Sequence, residues 1–233
     1  MPSSEAVNDK TLPSVQELAK EPLIAIPRHY VQAHQEPTAL SDSFSLPIVD
    51  MKNLIIGEAK DLELENLHSI CKTLGIFQVV NHGVSSLLVE KLKHDIEEFY
   101  KLPVEEKFKV KPGDVEGDTI ESYLSELQKL AMTIFGLMAV ALKIDKREIE
   151  EMFEDGMQAV RMNYYPPCPQ SELVTGFNPH SDATGITILL EINGVEGFQI
   201  KKDGVWFPIK FLPDAFVVNV GDVFEGKFIV CRI

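Results

Sequence analysis

Apolar residues in the first half of the chain recur at helical spacing. Over residues 61–74 they fall three or four positions apart and stop at Gly75, which predicts a helix closed by a glycine. The same spacing predicts three further helices, over residues 84–100, 118–142 and 146–153. The 118–142 segment becomes apolar on all sides toward its end, so we expect it inside the fold.

The second half of the chain changes to short apolar runs separated by Pro, Gly and Asn-Gly signals, a pattern typical of strands. Strands are predicted over residues 46–50, 76–80, 159–164, 186–191, 198–200, 205–209 and 216–220. Turn-punctuated strands of this length favour a jelly roll. The predicted fold class is therefore α+β, with a mainly helical N-terminal region, residues 1–156, packed on an incomplete jelly-roll core, residues 157–233.

Charge and composition argue against some classes of function. The chain of 233 residues has 36 acidic and 22 basic side chains, and a net charge of −14 repels phosphate backbones and anionic lipid. We therefore expect no nucleic-acid partner and no membrane association. The N-terminus lacks the features of a secretory signal, and residues 1–45 look like an extended arm that becomes ordered by docking. Three widely spaced cysteines argue against a disulfide framework and favour the cytoplasm.

One short segment carries residues suited to metal chemistry. His180 and Asp182 stand two positions apart before an apolar strand, so in an extended chain their side chains face the same way. One imidazole and one carboxylate, joined by a second imidazole, form the facial triad of non-haem Fe(II) oxygenases. An isolated His-x-Asp is more often a solvated turn, and the surrounding sequence must decide between the two.

That surrounding sequence contains several motifs in a fixed order. They are Phe77-Gln78-Val79-Val80-Asn81-His82-Gly83, Arg161-Met162-Asn163-Tyr164-Tyr165-Pro166-Pro167-Cys168-Pro169, Val195-Glu196-Gly197-Phe198-Gln199-Ile200 and Phe216-Val217-Val218-Asn219-Val220-Gly221-Asp222. From about Leu46 to Asp222 the chain resembles the plant 2-oxoglutarate- and Fe(II)-dependent dioxygenases, in the senescence-related and codeine O-demethylase-like branch. The family's N-terminal dioxygenase domain corresponds to about residues 46–117.

The resemblance implies roles for four residues. His180 and Asp182 are the implied iron ligands, and Asn163 and Tyr165 are implied to lie beside 2-oxoglutarate. Judged by chemistry alone, an amide and a phenol can hydrogen-bond a carboxylate, but a tyrosine more often only packs. His82 sits in a turn that ends a strand and is predicted to be structural, and His29, His34, His68 and His94 are expected to be solvated or packed. No residue is predicted to act as a catalytic acid or base.

The chain departs from the family pattern at two places. Beyond the Gly-Asp turn the family supplies a second iron-binding His and an Arg-x-Ser, whereas residues 183–233 contain no His and only Arg232. Near Gly117 an acidic loop leads directly into helix, where the family has a further segment. The sequence thus resembles an internally deleted and C-terminally truncated member, for which we expect weak metal affinity and little turnover.

The function implied by the resemblance is oxidation of a small plant metabolite by hydroxylation, desaturation or O-demethylation, with decarboxylation of 2-oxoglutarate to succinate. The implied cofactors are Fe(II), 2-oxoglutarate as cosubstrate and ascorbate as a reductant, and the partner is a small-molecule substrate. Two alternatives stay open. One is a catalytically inactive isoform that acts by binding or competition, and the other is a jelly-roll binding module without iron. The pattern does not indicate an oligomeric state.

Overall fold

The computed structural model describes residues 15–20, 23–32, 44–107, 117–153 and 156–228 of the chain. The helices of this part are α1 (Val15–Leu18), α2 (Met51–Ile56), α3 (Lys60–Thr73), α4 (Ser86–Lys101), α5 (Val104–Lys107), α6 (Gly117–Leu142), α7 (Lys146–Phe153) and α8 (Asp222–Phe228). The strands are β1 (Ile48–Asp50), β2 (Ile76–Val80), β3 (Ile186–Leu189), β4 (Gln199–Lys202), β5 (Val205–Pro208) and β6 (Phe216–Val220).

Four of the strands form one sheet in the order β1-β2-β6-β3. β1 pairs with β2 in parallel, and the other two pairings are antiparallel. The central strands β2 and β6 are buried almost throughout, because both faces of the sheet are covered. β4 and β5 form a separate hairpin.

Helices cover one face of the sheet. Every second residue of β6, beginning with Phe216, points into a large apolar cluster that also contains the inner face of α6. On α6, Leu130, Ile134 and Met138 lie four residues apart and are at most 4% exposed, so this helix is interior as predicted. By length and composition, residues 119–142 would also suffice to cross a membrane, a test that the core helix of a soluble protein passes equally well.

The hairpin covers the other face. Val217 of β6 and Ile76 of β2 pack there against Ile200 and Ile209 in a second, smaller cluster. Polar side chains of the central strands point to this face as well: Gln78 of β2 is 3% exposed and uses both ends of its amide, donating to the Lys210 carbonyl and accepting from the Leu212 amide. The candidate site described below lies on this hairpin side of the sheet.

Most predicted elements are present within two residues of their predicted bounds, and β2, β6 and α7 match at both ends. The α+β class is confirmed. The strand predicted over residues 159–164 is wrong, because this segment is exposed and forms no strand. A strand needs a ladder partner, and the sheet ends at β3 in the part of the chain that the structure describes. The segment is attached to helices instead, through Gln158 to the Leu124 carbonyl and Tyr100 to the Met162 carbonyl.

Four of the eight helices in the described residues were not predicted, namely α1, α2, α5 and α8, and α1 lies in the arm that was expected to be extended. α2 is N-capped by Asp50, whose carboxylate accepts hydrogen bonds from the backbone amides of Lys52 and Asn53 at 2.9 and 3.2 Å. An aspartate directly before an apolar run is an N-cap signal, so the sequence contained the information for α2. α8 follows β6 directly and inserts Phe224, which is fully buried, into the larger cluster.

Candidate metal centre

The His180 to Asp182 segment lies in a turn that is attached to the start of α8 by the backbone. The amides of Gly221 and Asp222 donate to the carbonyls of Gly185 and Asp182 at 2.9 and 2.8 Å. The close approach requires a glycine at 221, since a Cβ there would meet the carbonyl of Thr184. The apolar strand β6 and its Gly-Asp ending therefore fix the position of Asp182.

The carboxylate of Asp182 is held by two neighbouring strands. Thr187 and Asn219 face each other across the β3–β6 pairing, and both donate to Oδ2 of Asp182, at 2.5 and 3.0 Å. Burial alone would raise the pKa of Asp182, but these two hydrogen bonds and the nearby imidazole of His180 outweigh it and leave the pKa below its usual value. Asp182 is therefore ionised at neutral pH.

His180 presents its other ring nitrogen to this carboxylate. Its Nδ1 lies 2.8 Å from the backbone oxygen of Asn178, which can only accept, so Nδ1 carries the proton. Nε2, the other ring nitrogen, lies 3.3 Å from Oδ1 of Asp182. Metal-binding histidines are commonly fixed in this way, with the second nitrogen donating to a carbonyl.

The pair fits two of the positions that a facial Fe(II) site requires, because an imidazole nitrogen and a carboxylate oxygen converge. Among the described residues no group of three His, Cys, Asp or Glu side chains could hold a metal ion. The nearby carboxylate of Asp222 accepts a hydrogen bond from Ser181 at 2.8 Å. In the part of the chain that the structure describes, the pair of His180 and Asp182 is thus not joined by a third such side chain.

The predicted 2-oxoglutarate residues lie on the segment that runs beside this turn. Arg161 stacks over the ring of Phe177 at 4.4 Å, and Phe177 meets the ring of His180 edge-on at 4.5 Å. The ring of Tyr165 packs so closely against Gly176 that a Cβ at position 176 would collide with it. Both Asn163 and Tyr165 are exposed to solvent, and their contact with 2-oxoglutarate stays a prediction.

His82 has the surroundings of a structural residue, as predicted. Its Nε2 lies 3.1 Å from the carbonyl of Asp214, its Nδ1 accepts from the Val84 amide, and its ring packs on Phe216. Burial lowers its pKa more than the Asp214 contacts raise it. Of the other histidines, His68 contacts the Ala141 carbonyl, His29 lies against Tyr30, His94 is exposed and His34 lies outside the described residues.

Two family models together match most of the chain. Residues 156–227 match the model of the 2OG-Fe(II) oxygenase superfamily, and residues 46–162 match the model described as non-haem dioxygenase in morphine synthesis N-terminal. The chain is 42% identical to thebaine 6-O-demethylase of Papaver somniferum over 94% of its length and 75% of that protein. It is 40% identical to oxoglutarate-dependent flavonoid 7-O-demethylase 1 of Ocimum basilicum over 92% of its length and 70% of that protein.

Solved structures show the same fold. The crystal structure of JOX2 in complex with 2OG, Fe and JA has a TM-score of 0.76 and 28% identity, covering 92% of this chain and 74% of that one. The alignment with the thebaine enzyme spans 273 positions, whereas 94% of this 233-residue chain is about 219 residues. The difference, about 54 positions, has no counterpart in this chain.

Proposed function

We infer the function from the premise that this chain belongs to the plant 2-oxoglutarate- and Fe(II)-dependent dioxygenases, in the branch that includes the codeine and thebaine O-demethylases. Members of this family are enzymes that use Fe(II) and 2-oxoglutarate to oxidise small plant metabolites. We propose that His180 and Asp182 are the two iron ligands of this chain. The observation that carries the proposal is the convergence of Nε2 and Oδ1 at 3.3 Å.

The surrounding residues prepare this pair for a cation. Asn178 keeps the proton on Nδ1 of His180, which makes Nε2 the ring nitrogen that can bind the metal. Thr187 and Asn219 occupy Oδ2 of Asp182 and leave Oδ1 for the cation. Iron and 2-oxoglutarate, when bound, supply the oxidation of a substrate C–H bond by O₂, with succinate and CO₂ as the products of the keto acid. Asn163 and Tyr165 would donate hydrogen bonds to 2-oxoglutarate.

We further propose that the substrate is a methyl ether, because three similar relatives are named as O-demethylases of a flavonoid, of thebaine and of codeine. Oxidation of the methyl carbon gives a hemiacetal that breaks its C–O bond. The ether R–O–CH₃, O₂ and 2-oxoglutarate then yield R–OH, formaldehyde, succinate and CO₂. Hydroxylation and desaturation are the competing outcomes, and neither releases formaldehyde.

A site with two protein ligands should bind iron weakly. The residues 183–233 of this chain contain no further His, and each lost ligand lowers metal affinity by orders of magnitude. Turnover should therefore rise with Fe(II) concentration well beyond one equivalent. The exposed thiol of Cys168 supports the proposal that the protein works in a reducing compartment such as the cytoplasm.

The test is to incubate the chain with excess Fe(II), 2-oxoglutarate and ascorbate against a panel of methoxylated flavonoids and alkaloids. Formaldehyde and succinate should form in equal amounts with at least one ether and should disappear in His180→Ala. Succinate with a hydroxylated or desaturated product and no formaldehyde would refute the O-demethylation proposal. Binding of an ether without any product would favour the inactive alternative.

A further inference from the structure

The N-terminal arm docks on the loop that precedes the candidate metal centre. Gln32 makes three hydrogen bonds to this loop. Its backbone amide donates to the Leu173 carbonyl at 3.0 Å. Its side-chain Nε2 donates to Oδ1 of Asn178 at 3.0 Å, and its Oε1 accepts from the Thr175 hydroxyl at 3.2 Å. A second attachment lies six residues earlier, where the Ile26 amide donates to the Gln170 side chain. The arm thus spans the loop from residue 170 to residue 178.

The same loop determines how the ring of His180 is oriented. The side chain of His180 is half exposed, so burial alone does not fix it. Its ring is positioned by the Asn178 carbonyl at Nδ1 and by the edge-on ring of Phe177. Asn178 therefore contacts Gln32 through its side chain and His180 through its backbone.

We propose that Gln32 is a positioning residue for His180, so that the N-terminal arm is a structural part of the metal centre. The inference rests on the proposed function in that His180 is taken as an iron ligand. Without Gln32, residues 173–178 lose both side-chain hydrogen bonds to the arm, and the carbonyl of Asn178 is no longer fixed. The ring of His180 then rotates away from Asp182 more often, and the cation loses a ligand for part of the time.

The experiment compares the parent protein with three variants of the arm and with His180→Ala by two measurements. Gln32→Met keeps the side-chain length and removes both side-chain hydrogen bonds. Gln32→Glu keeps an acceptor for Thr175 and can accept from Asn178 after its amide rotates. Ile24→Ser is the matched control, since Ile24 lies on the same arm and is 97% exposed. Hydrogen–deuterium exchange of residues 170–182 is measured without metal, and Co(II) affinity is measured from its visible bands.

Gln32→Met should speed exchange over residues 173–180 and weaken Co(II) binding roughly three- to tenfold, somewhat less than the loss of a direct partner of a metal ligand. Gln32→Glu and Ile24→Ser should stay near the parent protein in both measurements. Unchanged exchange in Gln32→Met overturns the inference whether or not metal binds. Unchanged Co(II) affinity in Gln32→Met also overturns it, provided that His180→Ala abolishes binding. Unchanged binding in His180→Ala itself refutes the proposed function instead.

Discussion

Removing the Thr187 hydroxyl tests whether the strand pairing beneath Asp182 prepares its carboxylate for a metal. Thr187→Val keeps the shape of the side chain but deletes the 2.5 Å hydrogen bond to Oδ2, which leaves Asn219 as the remaining strand donor. A hydrogen bond to a charged group contributes about 1.5–3 kcal/mol. The Asp182 side chain is 26% exposed, and water replaces part of the loss, so about 1.5 kcal/mol is expected.

The same change should act on metal binding. Loss of a hydrogen-bond partner of a metal ligand typically costs roughly 10–100-fold in metal affinity, so Co(II) affinity should fall at least about tenfold. The assays are urea unfolding of the metal-free protein and Co(II) titration. Thr187→Ser, which restores the hydroxyl, is the control and should recover most of both losses. Equal results for Thr187→Val and Thr187→Ser would refute the reasoning, because the hydroxyl would then contribute nothing to Asp182.

Three further predictions concern stability. Burial lowers the pKa of His82 in the folded state, so its contribution to the free energy of unfolding is present above about pH 6.5 and is lost as pH falls below that value. Between about pH 7 and pH 5, urea unfolding should therefore show a smaller loss of stability in His82→Gln than in the parent protein. An equal loss in the two proteins would contradict this. Gly221→Ala should destabilise by about 1–3 kcal/mol in urea because its Cβ meets the Thr184 carbonyl, whereas Gly226→Ala, in open space, should not. Asp50→Ala should cost about 1 kcal/mol in thermal unfolding through loss of the α2 cap, and a result equal to the parent would remove that role.

The parts of the fold that follow from local pattern were predictable from the sequence. β2 and β6 are apolar runs that end at a turn former, and α6 combines a helical stripe with enough apolar residues to require burial. The segment 159–164 has the same local pattern as a strand, yet whether it pairs depends on the neighbouring strand, which local pattern does not specify. Similar dependence on context explains the missed helix α8.

The candidate site, like the fold, was only partly predictable from the sequence. His180 and Asp182 could be found because their spacing and the surrounding motifs lie in one stretch of sequence. Thr187 and Asn219 are 32 residues apart and meet only through the β3–β6 register, which the sequence did not supply. Gln32 lies more than 140 residues from Asn178, and no local signal connects the two. The single Asn within the otherwise apolar strand β6 was a hint that a polar, partly buried contact existed there.

The central claim is that His180 and Asp182 together hold Fe(II) for 2-oxoglutarate. Anaerobic titration of the folded chain with Fe(II) and 2-oxoglutarate tests it most directly, by following the visible charge-transfer band that forms when the keto acid chelates bound iron. The account predicts a band that keeps rising well beyond one equivalent of Fe(II), as weak binding requires, and that is lost in both His180→Ala and Asp182→Ala. A folded chain that shows no band, or a band that survives either substitution, would contradict it.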